Sequence, residues 1–276
     1  MLDRRTKVLI AGDFGTGKSL LALSFSEHTA KEVLAIDFER GMDHYLAASK
    51  EQAKGDLLWV RRVVAPSLYE LKLLLQRIRD PQKPAREIII DRKPVDPNYV
   101  SDRVKQVSAD IATGKLVVGT IIVDTVTRLG DIAAARVFEE SVAKIGLDKT
   151  ERLTQLLWAR AKDEVSELLF AMIEADLNVL LTAWAKEQYD SLTRQRTGQV
   201  IADVLKNVNA FVDLSLMLEP NARPAGSLAV APKAVVQKSR LRNLPVGSVI
   251  QKATWPAIFT YEPKLEQLES KEEKAA

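Results

Sequence analysis

The chain has 276 residues, 46% of them hydrophobic, enough for one large domain with a substantial core. Its 40 Lys and Arg against 37 Asp and Glu leave a net charge of +3, too small to mark a nucleic-acid binder by bulk charge, so any basic surface must be local. The absence of cysteine excludes a disulfide framework and a thiolate metal site, and it fits a reducing compartment.

Met1 to Arg5 leads straight into an apolar strand, and no apolar run approaches the ~20 residues of a spanning helix, so a cytoplasmic protein with no membrane partner is expected, in the host cytoplasm if it is viral. Val8 to Ala11 reads as a strand, followed by a glycine-containing loop and a Leu-rich helix from near Lys18. A second apolar run, Val33 to Asp37, ends in acidic residues. A third, Leu57 to Val60, precedes Ser67-Leu68-Tyr69-Glu70, which has the Ser-x-x-Glu form of a capping box and predicts a helix to about Arg79. Four prolines between Pro81 and Pro97 predict an excursion from the core, within residues 81–115. There Asp96-Pro97 suits the N-cap and first position of a helix reaching about Ala112. Leu116 to Asp124 is a continuous apolar, β-branched run, as expected of a strand covered on both faces.

Two helical patterns follow Thr127, the second from Thr150 to Glu174, and lead to a buried strand, Val179 to Ala183. Asp190 to Gln199 reads as a polar loop, Ile201 to Ala210 as a helix and Val212 to Leu218 as a strand. Short alternating runs from Pro220 to Pro245 suggest hairpin strands at a sheet edge, and Lys264 to Ala276 a charged tail. The alternation predicts an α/β fold: a mainly parallel sheet flanked by helices, with right-handed crossovers and an antiparallel C-terminal edge hairpin. One domain over residues 1–263 and a tail over 264–276 are expected. His28 and His44 have no partner at metal or catalytic spacing and read as surface or cap residues, and Trp59, Trp158 and Trp255 read as core.

The loop Gly12-Asp13-Phe14-Gly15-Thr16-Gly17-Lys18-Ser19 has the form Gly-x-x-x-x-Gly-Lys-Ser, after a predicted strand and before a predicted helix. Glycines let backbone N–H groups turn around phosphate oxygens, Lys18 neutralises phosphate charge and Ser19 can ligate Mg²⁺. These residues and the adjoining Leu20 are the expected ATP contacts. Asp124 closes the apolar strand Gly119 to Asp124 as a Walker B carboxylate, able to hold Mg²⁺ opposite Ser19.

The segment Val33-Leu34-Ala35-Ile36-Asp37-Phe38-Glu39-Arg40-Gly41-Met42-Asp43, with Asp56 to Trp59, Tyr69 to Ile78 and Thr120 to Leu129 in the same order, resembles the RecA-like recombinase ATPases. The nearest layout is that of compact phage and archaeal RecA-like proteins, some of which promote single-strand annealing. The resemblance covers about Lys7 to Lys252. It implies that Glu39 activates the attacking water, that Asp43 contacts adenine, and that Asn178 to Glu187 is the sensor strand. It also implies that Lys238 and Arg240, on an edge hairpin, reach a neighbour's ATP site, so a homo-oligomer, ring or short filament, is expected. Trp184 stands where a hydrogen-bonding sensor would be expected, leaving Lys186 or Gln188 as substitutes.

In the RecA-like layout the loop after the sensor strand faces DNA, and here it offers Lys186, Tyr189, Arg194 and Arg196, cations to track phosphates and a ring to stack a base. A solvated polar loop would have the same composition. Lys144 and Lys149 are further candidates. The resemblance implies a DNA-stimulated ATPase that binds single-stranded DNA and assists annealing or strand exchange, with single-strand-binding or recombination proteins as partners. The rivals are a helicase or packaging motor, a nucleotide-dependent mediator with negligible turnover, and a small-molecule kinase.

Overall fold

The computed structural model describes residues 5–29, 31–45, 59–190, 193–205, 208–221 and 231–262. The phosphate-loop strand β1 (Lys7–Gly12) lies inside a mixed sheet, between β7 (Asn178–Tyr189) and β9 (Leu214–Glu219), both parallel to it. Beyond β7 come β6 (Val118–Asp124), β2 (Glu32–Asp37) and β3 (Val60–Val64), again parallel. Beyond β9 the sheet turns antiparallel through β10 (Lys233–Ser239) and β11 (Val249–Ile250). The phosphate-loop strand β1 and the strand β6 that ends in Asp124 are therefore separated by β7, which brings a third strand end between them.

Alternate strand residues feed two cores, as the period of two requires. Leu9, Leu34, Ile36, Ile121 and Leu181 face one side, against α2 (Leu68–Arg79), α3 (Asp102–Ala112), α4 (Val126–Ile145) and α6 (Thr154–Glu174). Val8, Ile10, Val33, Ile122 and Leu180 face the other, against α1 (Lys18–Ser24) and α8 (Trp255–Phe259). Trp255 is buried as expected; its indole N–H donates to the Leu21 carbonyl at 2.7 Å and its ring meets Phe25 edge-on at 4.9 Å. The helix α5 (Leu147–Arg152) and the short α7 (Val208–Phe211) complete the set. Among the described residues no helix is long and apolar enough to cross a membrane.

The capping box forms as the spacing predicts: Ser67 Oγ accepts from Glu70 N–H at 3.2 Å and Glu70 Oε2 from Ser67 N–H at 2.8 Å. Other expectations fail. Asp96 does cap Pro97, with its carboxylate 2.9 Å from Asn98 N, but only over one 3₁₀ turn, Pro97–Tyr99; the helix begins at Asp102 behind Ser101, whose N–H is taken by Glu70 Oε1 at 2.7 Å. The excursion folds into a small hairpin of β4 (Ile89–Ile90) and β5 (Lys93–Pro94), with Ile88 and Ile90 buried.

The polar stretch 190–199 is not a free loop, and the helix expected from Ile201 is not there at its start: Ile201 and Ala202 end a strand, and helix among the described residues begins only at Val208. β7 continues past the sheet to Tyr189 and pairs antiparallel with β8 (Arg196–Ala202), because Asp190 Oδ1 accepts from the N–H of Thr193 at 2.7 Å and closes a turn, and Thr197, Val200 and Ile201 favour extended backbone. Trp59 and Trp158 are not core residues: they remain 56% and 47% exposed. Asp56, Leu57 and Leu58, the His44 side chain, the tail 264–276 and part of the stretch 220–245 lie outside the described residues.

Candidate nucleotide site

The loop between β1 and α1 is built for close backbone approach. Gly15 and Gly17 have φ of 75° and 87°, where only glycine is unstrained. A Cβ on Gly12 would lie 2.7 Å from Thr16 Oγ1 and 2.8 Å from the Leu218 carbonyl. Thr16 Oγ1 donates to the Asp13 carbonyl at 2.9 Å. Lys18 Nζ, nearly buried, donates to the carbonyls of Gly12 at 3.0 Å and Asp13 at 2.8 Å, so the ammonium is anchored within the loop it serves. Burial pulls the Lys18 pKa down, against the charges of Asp124, Glu39 and Asp13. Phe14 is 96% exposed, so its side chain takes no part in the loop's own packing, and Leu20 is partly exposed on α1.

Ser19 Oγ donates to Asp124 Oδ2 at 2.7 Å across 105 residues of sequence. Asp124 is 1% exposed, and its other oxygen accepts from Thr182 Oγ1 on the intervening strand β7. Burial raises the Asp124 pKa, opposed by the bonds from Thr182 and Ser19. The Asp124–Thr125 peptide is cis. A Cβ on Gly41 would lie 3.1 Å from both Asp124 Oδ2 and Ser19 Oγ, so the missing side chain leaves a small cradle over that pair. A hydroxyl and a carboxylate beside such a gap are hard oxygen donors of the kind that suit Mg²⁺, which keeps several waters and phosphate oxygens for itself. Among the described residues there is no group of three or more His, Cys, Asp or Glu that could hold a metal ion.

Glu39 follows β2 on a loop organised by Asp37. The Asp37 carboxylate is fully buried and accepts from the N–H groups of Glu39 at 3.3 Å, Gly41 at 3.2 Å and Met42 at 3.2 Å, while Arg62 pairs with it at 2.6 Å. Glu39 Oε2 accepts from the indole N–H of Trp184 at 3.3 Å. Oε1 is buried, and the Thr125 hydroxyl makes a second, weaker contact with the carboxylate. Burial raises the Glu39 pKa, opposed by Trp184 and reinforced by the charge of Asp124. Asp43 is held by Arg62 at 2.6 Å and is half exposed.

The remaining candidates lie elsewhere. Lys238 Nζ donates to the carbonyls of Asn209 and, at 2.9 Å, Ala210. Arg240 donates to Ala210 O at 2.9 Å and to Asp213 Oδ1 at 3.2 Å. Both cations thus cap carbonyls of their own chain. Lys186, Tyr189, Arg194 and Arg196 gather on the β7–β8 hairpin and its tip, all exposed. Lys186 pairs with Asp203 at 2.5 Å and Arg196 with Glu187 at 2.9 Å.

Sequence reading missed three contributors. Thr182 is a lone hydroxyl in an apolar strand, and Asp37 an acid ending another; both were visible as polar breaks in apolar runs. Trp184 read as the loss of a hydrogen-bonding sensor, whereas its indole supplies the hydrogen bond.

A Gly-rich phosphate loop, a Walker B carboxylate facing it and a parallel sheet with one strand between them define a P-loop ATPase with a RecA-like core. A family model described as an AAA domain matches residues 4–241, and the chain belongs to that family. No curated protein matches it in sequence. Among solved structures it is similar to the RadB recombinase, at 15% identity and a TM-score of 0.45, over 88% of this chain and 84% of that one. It is also similar to a prototypical ATPase from the type III secretion system of pathogenic bacteria, at 12% identity and a TM-score of 0.37, over 78% of this chain and 52% of that one.

Proposed function

We propose that the protein binds and hydrolyses ATP, using Glu39 to activate water, and that it holds single-stranded DNA on the β7–β8 hairpin in annealing or strand exchange. The observation that carries the catalytic part is the Glu39 carboxylate: one oxygen accepts from the Trp184 indole, Thr125 adds a second side-chain contact, and the charges of Lys18 and Asp124 lie beside it. A partly buried carboxylate with a raised pKa suits proton acceptance from water. The backbone of Gly12 to Ser19 and the Lys18 ammonium hold the phosphates, Lys18 exchanging its loop carbonyls for phosphate oxygens. Ser19 and Asp124 are the protein ligands for Mg²⁺, which would supply charge neutralisation at the β- and γ-phosphates. Asp43 would contact adenine from the half-exposed side that faces away from Arg62.

The hairpin supports the DNA part because its ion pairs are exposed. Such pairs are worth about 0–1 kcal/mol, so Lys186 and Arg196 can trade Asp203 and Glu187 for phosphates at little cost. Tyr189, 54% exposed, presents a ring for stacking. The deciding experiment is steady-state ATP hydrolysis with Mg²⁺, alone and with single-stranded DNA, duplex DNA or RNA. Glu39→Gln should retain ATP binding and lose turnover; normal turnover in that variant sinks the catalytic assignment. Arg194→Ala with Arg196→Ala should remove stimulation by single strands.

One observation favours a second reading, a nucleotide-dependent mediator with negligible turnover. Lys238 and Arg240 are engaged with Asn209, Ala210 and Asp213 of their own chain, so completing a neighbour's site in a ring or filament requires those bonds to open. ATP-dependent capture of a recombination partner protein without phosphate release would select it.

A further inference from the structure

The root of the β7–β8 hairpin meets the nucleotide site through one side chain. β7 changes partners at Trp184: Gly12 and Trp184 form the last parallel pair with β1, and from Ala185 the strand pairs antiparallel with β8. The main chain is fastened at this point on both sides. Trp184 N–H donates to Thr127 Oγ1 at 3.1 Å, Trp184 C=O accepts from Asp203 N–H at 2.7 Å, and Thr127 Oγ1 donates to the Asp203 carbonyl at 2.9 Å. From this fixed base the indole N–H reaches Glu39 Oε2 at 3.3 Å. The ring is 37% exposed, so its place is not explained by filling the core.

Glu39 is held by two side chains. Its backbone N–H rests on Asp37, its side chain has three rotatable bonds, and of the two groups that hydrogen-bond its carboxylate, Trp184 and Thr125, Trp184 has the larger effect and belongs to the strand that carries the hairpin. We infer that Trp184 is the positioning residue for Glu39, and that through Thr127 and Asp203 it ties the orientation of that carboxylate to the root of the hairpin, so that a polynucleotide held on the hairpin acts on water activation through the indole–carboxylate bond. This rests on the reading of Glu39 as the group that activates water.

The test compares wild type, Trp184→Phe, Glu39→Gln and the double variant, each as the full chain. The phenylalanine keeps an aromatic ring and removes the N–H. Expected is a kcat lower by about ten- to a hundredfold, the size of a lost hydrogen bond to a charged group, with KM and the affinity for a fluorescent ATP analogue within about twofold of wild type. In the Glu39→Gln background the same change should lower the residual rate no further, because the two residues act through one bond. Stimulation by single-stranded DNA should fall to a ratio near one in Trp184→Phe. A packing role would instead lower stability and both kinetic parameters, equally in either background. Wild-type kcat and undiminished DNA stimulation in Trp184→Phe would overturn the inference and leave Glu39 as the base. Equal turnover in wild type and Glu39→Gln, or none in wild type, would overturn Glu39's role and the inference together.

Discussion

Removing the Asp37 carboxylate is the sharpest test of how the Glu39 loop is held. That carboxylate is fully buried, satisfies three backbone N–H groups between Glu39 and Met42, and pairs with Arg62 at 2.6 Å. Deleting one partner of a buried ion pair costs about 3–5 kcal/mol, because the other charge is left behind. Two features adjust that figure. Arg62 keeps Asp43 at 2.6 Å, which moves the cost toward the lower end. Met42 N–H, in a residue with no solvent exposure, loses its acceptor, which adds about 1–3 kcal/mol. Asp37→Ala should therefore destabilise the protein by about 4 kcal/mol, or about 8–16 °C at the 2–4 °C per kcal/mol usual for domains of this size. Urea unfolding followed by circular dichroism gives the free energy, and ATP turnover on the same samples gives the consequence for Glu39. Asp37→Asn, which keeps one acceptor oxygen and loses the charge, should fall between alanine and wild type. A stability loss below about 1 kcal/mol in the alanine variant, with kcat unchanged, would refute the claim that Asp37 organises this loop.

Four further outcomes follow from single contacts. Gly41→Ala sets a methyl group 3.1 Å from Ser19 Oγ and Asp124 Oδ2, and should lower Mg²⁺-dependent nucleotide affinity about tenfold while sparing the affinity without Mg²⁺, measured by titration with and without the metal. Thr182→Val keeps shape but removes the hydroxyl that donates to Asp124, and should cost about 2 kcal/mol in urea unfolding and reduce turnover. Gly12→Ala drives a Cβ against the Leu218 carbonyl at 2.8 Å, which the sheet cannot yield cheaply; loss of nucleotide binding and destabilisation by about 1–3 kcal/mol are expected. The pH profile of kcat should fall on its acid side above the ordinary glutamate range of about 4.3. Burial raises the Glu39 pKa, only the ionised carboxylate can take a proton from water, and activity is therefore present above the raised pKa and lost as pH drops through it. An acid limb at or below pH 4 would contradict that assignment.

The parts legible in the sequence were those written in short spacings. Gly12 to Ser19 and Ser67 to Glu70 each signal their structure within eight residues, and Gly119 to Asp124 reads as a buried strand because every position is covered. The contacts that orient the site join residues far apart in the chain: Ser19 with Asp124, Thr182 with Asp124, Trp184 with Glu39, the last across 145 residues. No local pattern encodes them, since each depends on which strand ends the sheet order brings together. The hairpin was misread for another reason. Lys186 to Gln199 is polar on both faces because the ribbon projects from the sheet, so composition resembles a loop although the backbone is paired. Trp59 and Trp158 were misplaced by treating large apolar side chains as core by default.

The place of β1 within the sheet bears on how the chain is made. Both of its neighbours, β7 and β9, come from the far side of the sequence, and its register with β7 starts at Lys7 opposite Val179. During synthesis the first strand emerges and then waits for some 170 residues, on the order of 10–30 s at 5–20 residues per second, before either edge can be paired. Meanwhile β2, β3 and β6 can already assemble with α2 to α4. For that interval Val8, Leu9, Ile10 and Ala11 form an unpaired apolar strand, the kind of segment that invites mispairing or chaperone capture. The phosphate loop would then be among the last features to mature, and a nascent chain arrested before residue 178 should expose Lys7 to Gly12 to protease while residues 60–145 are already protected.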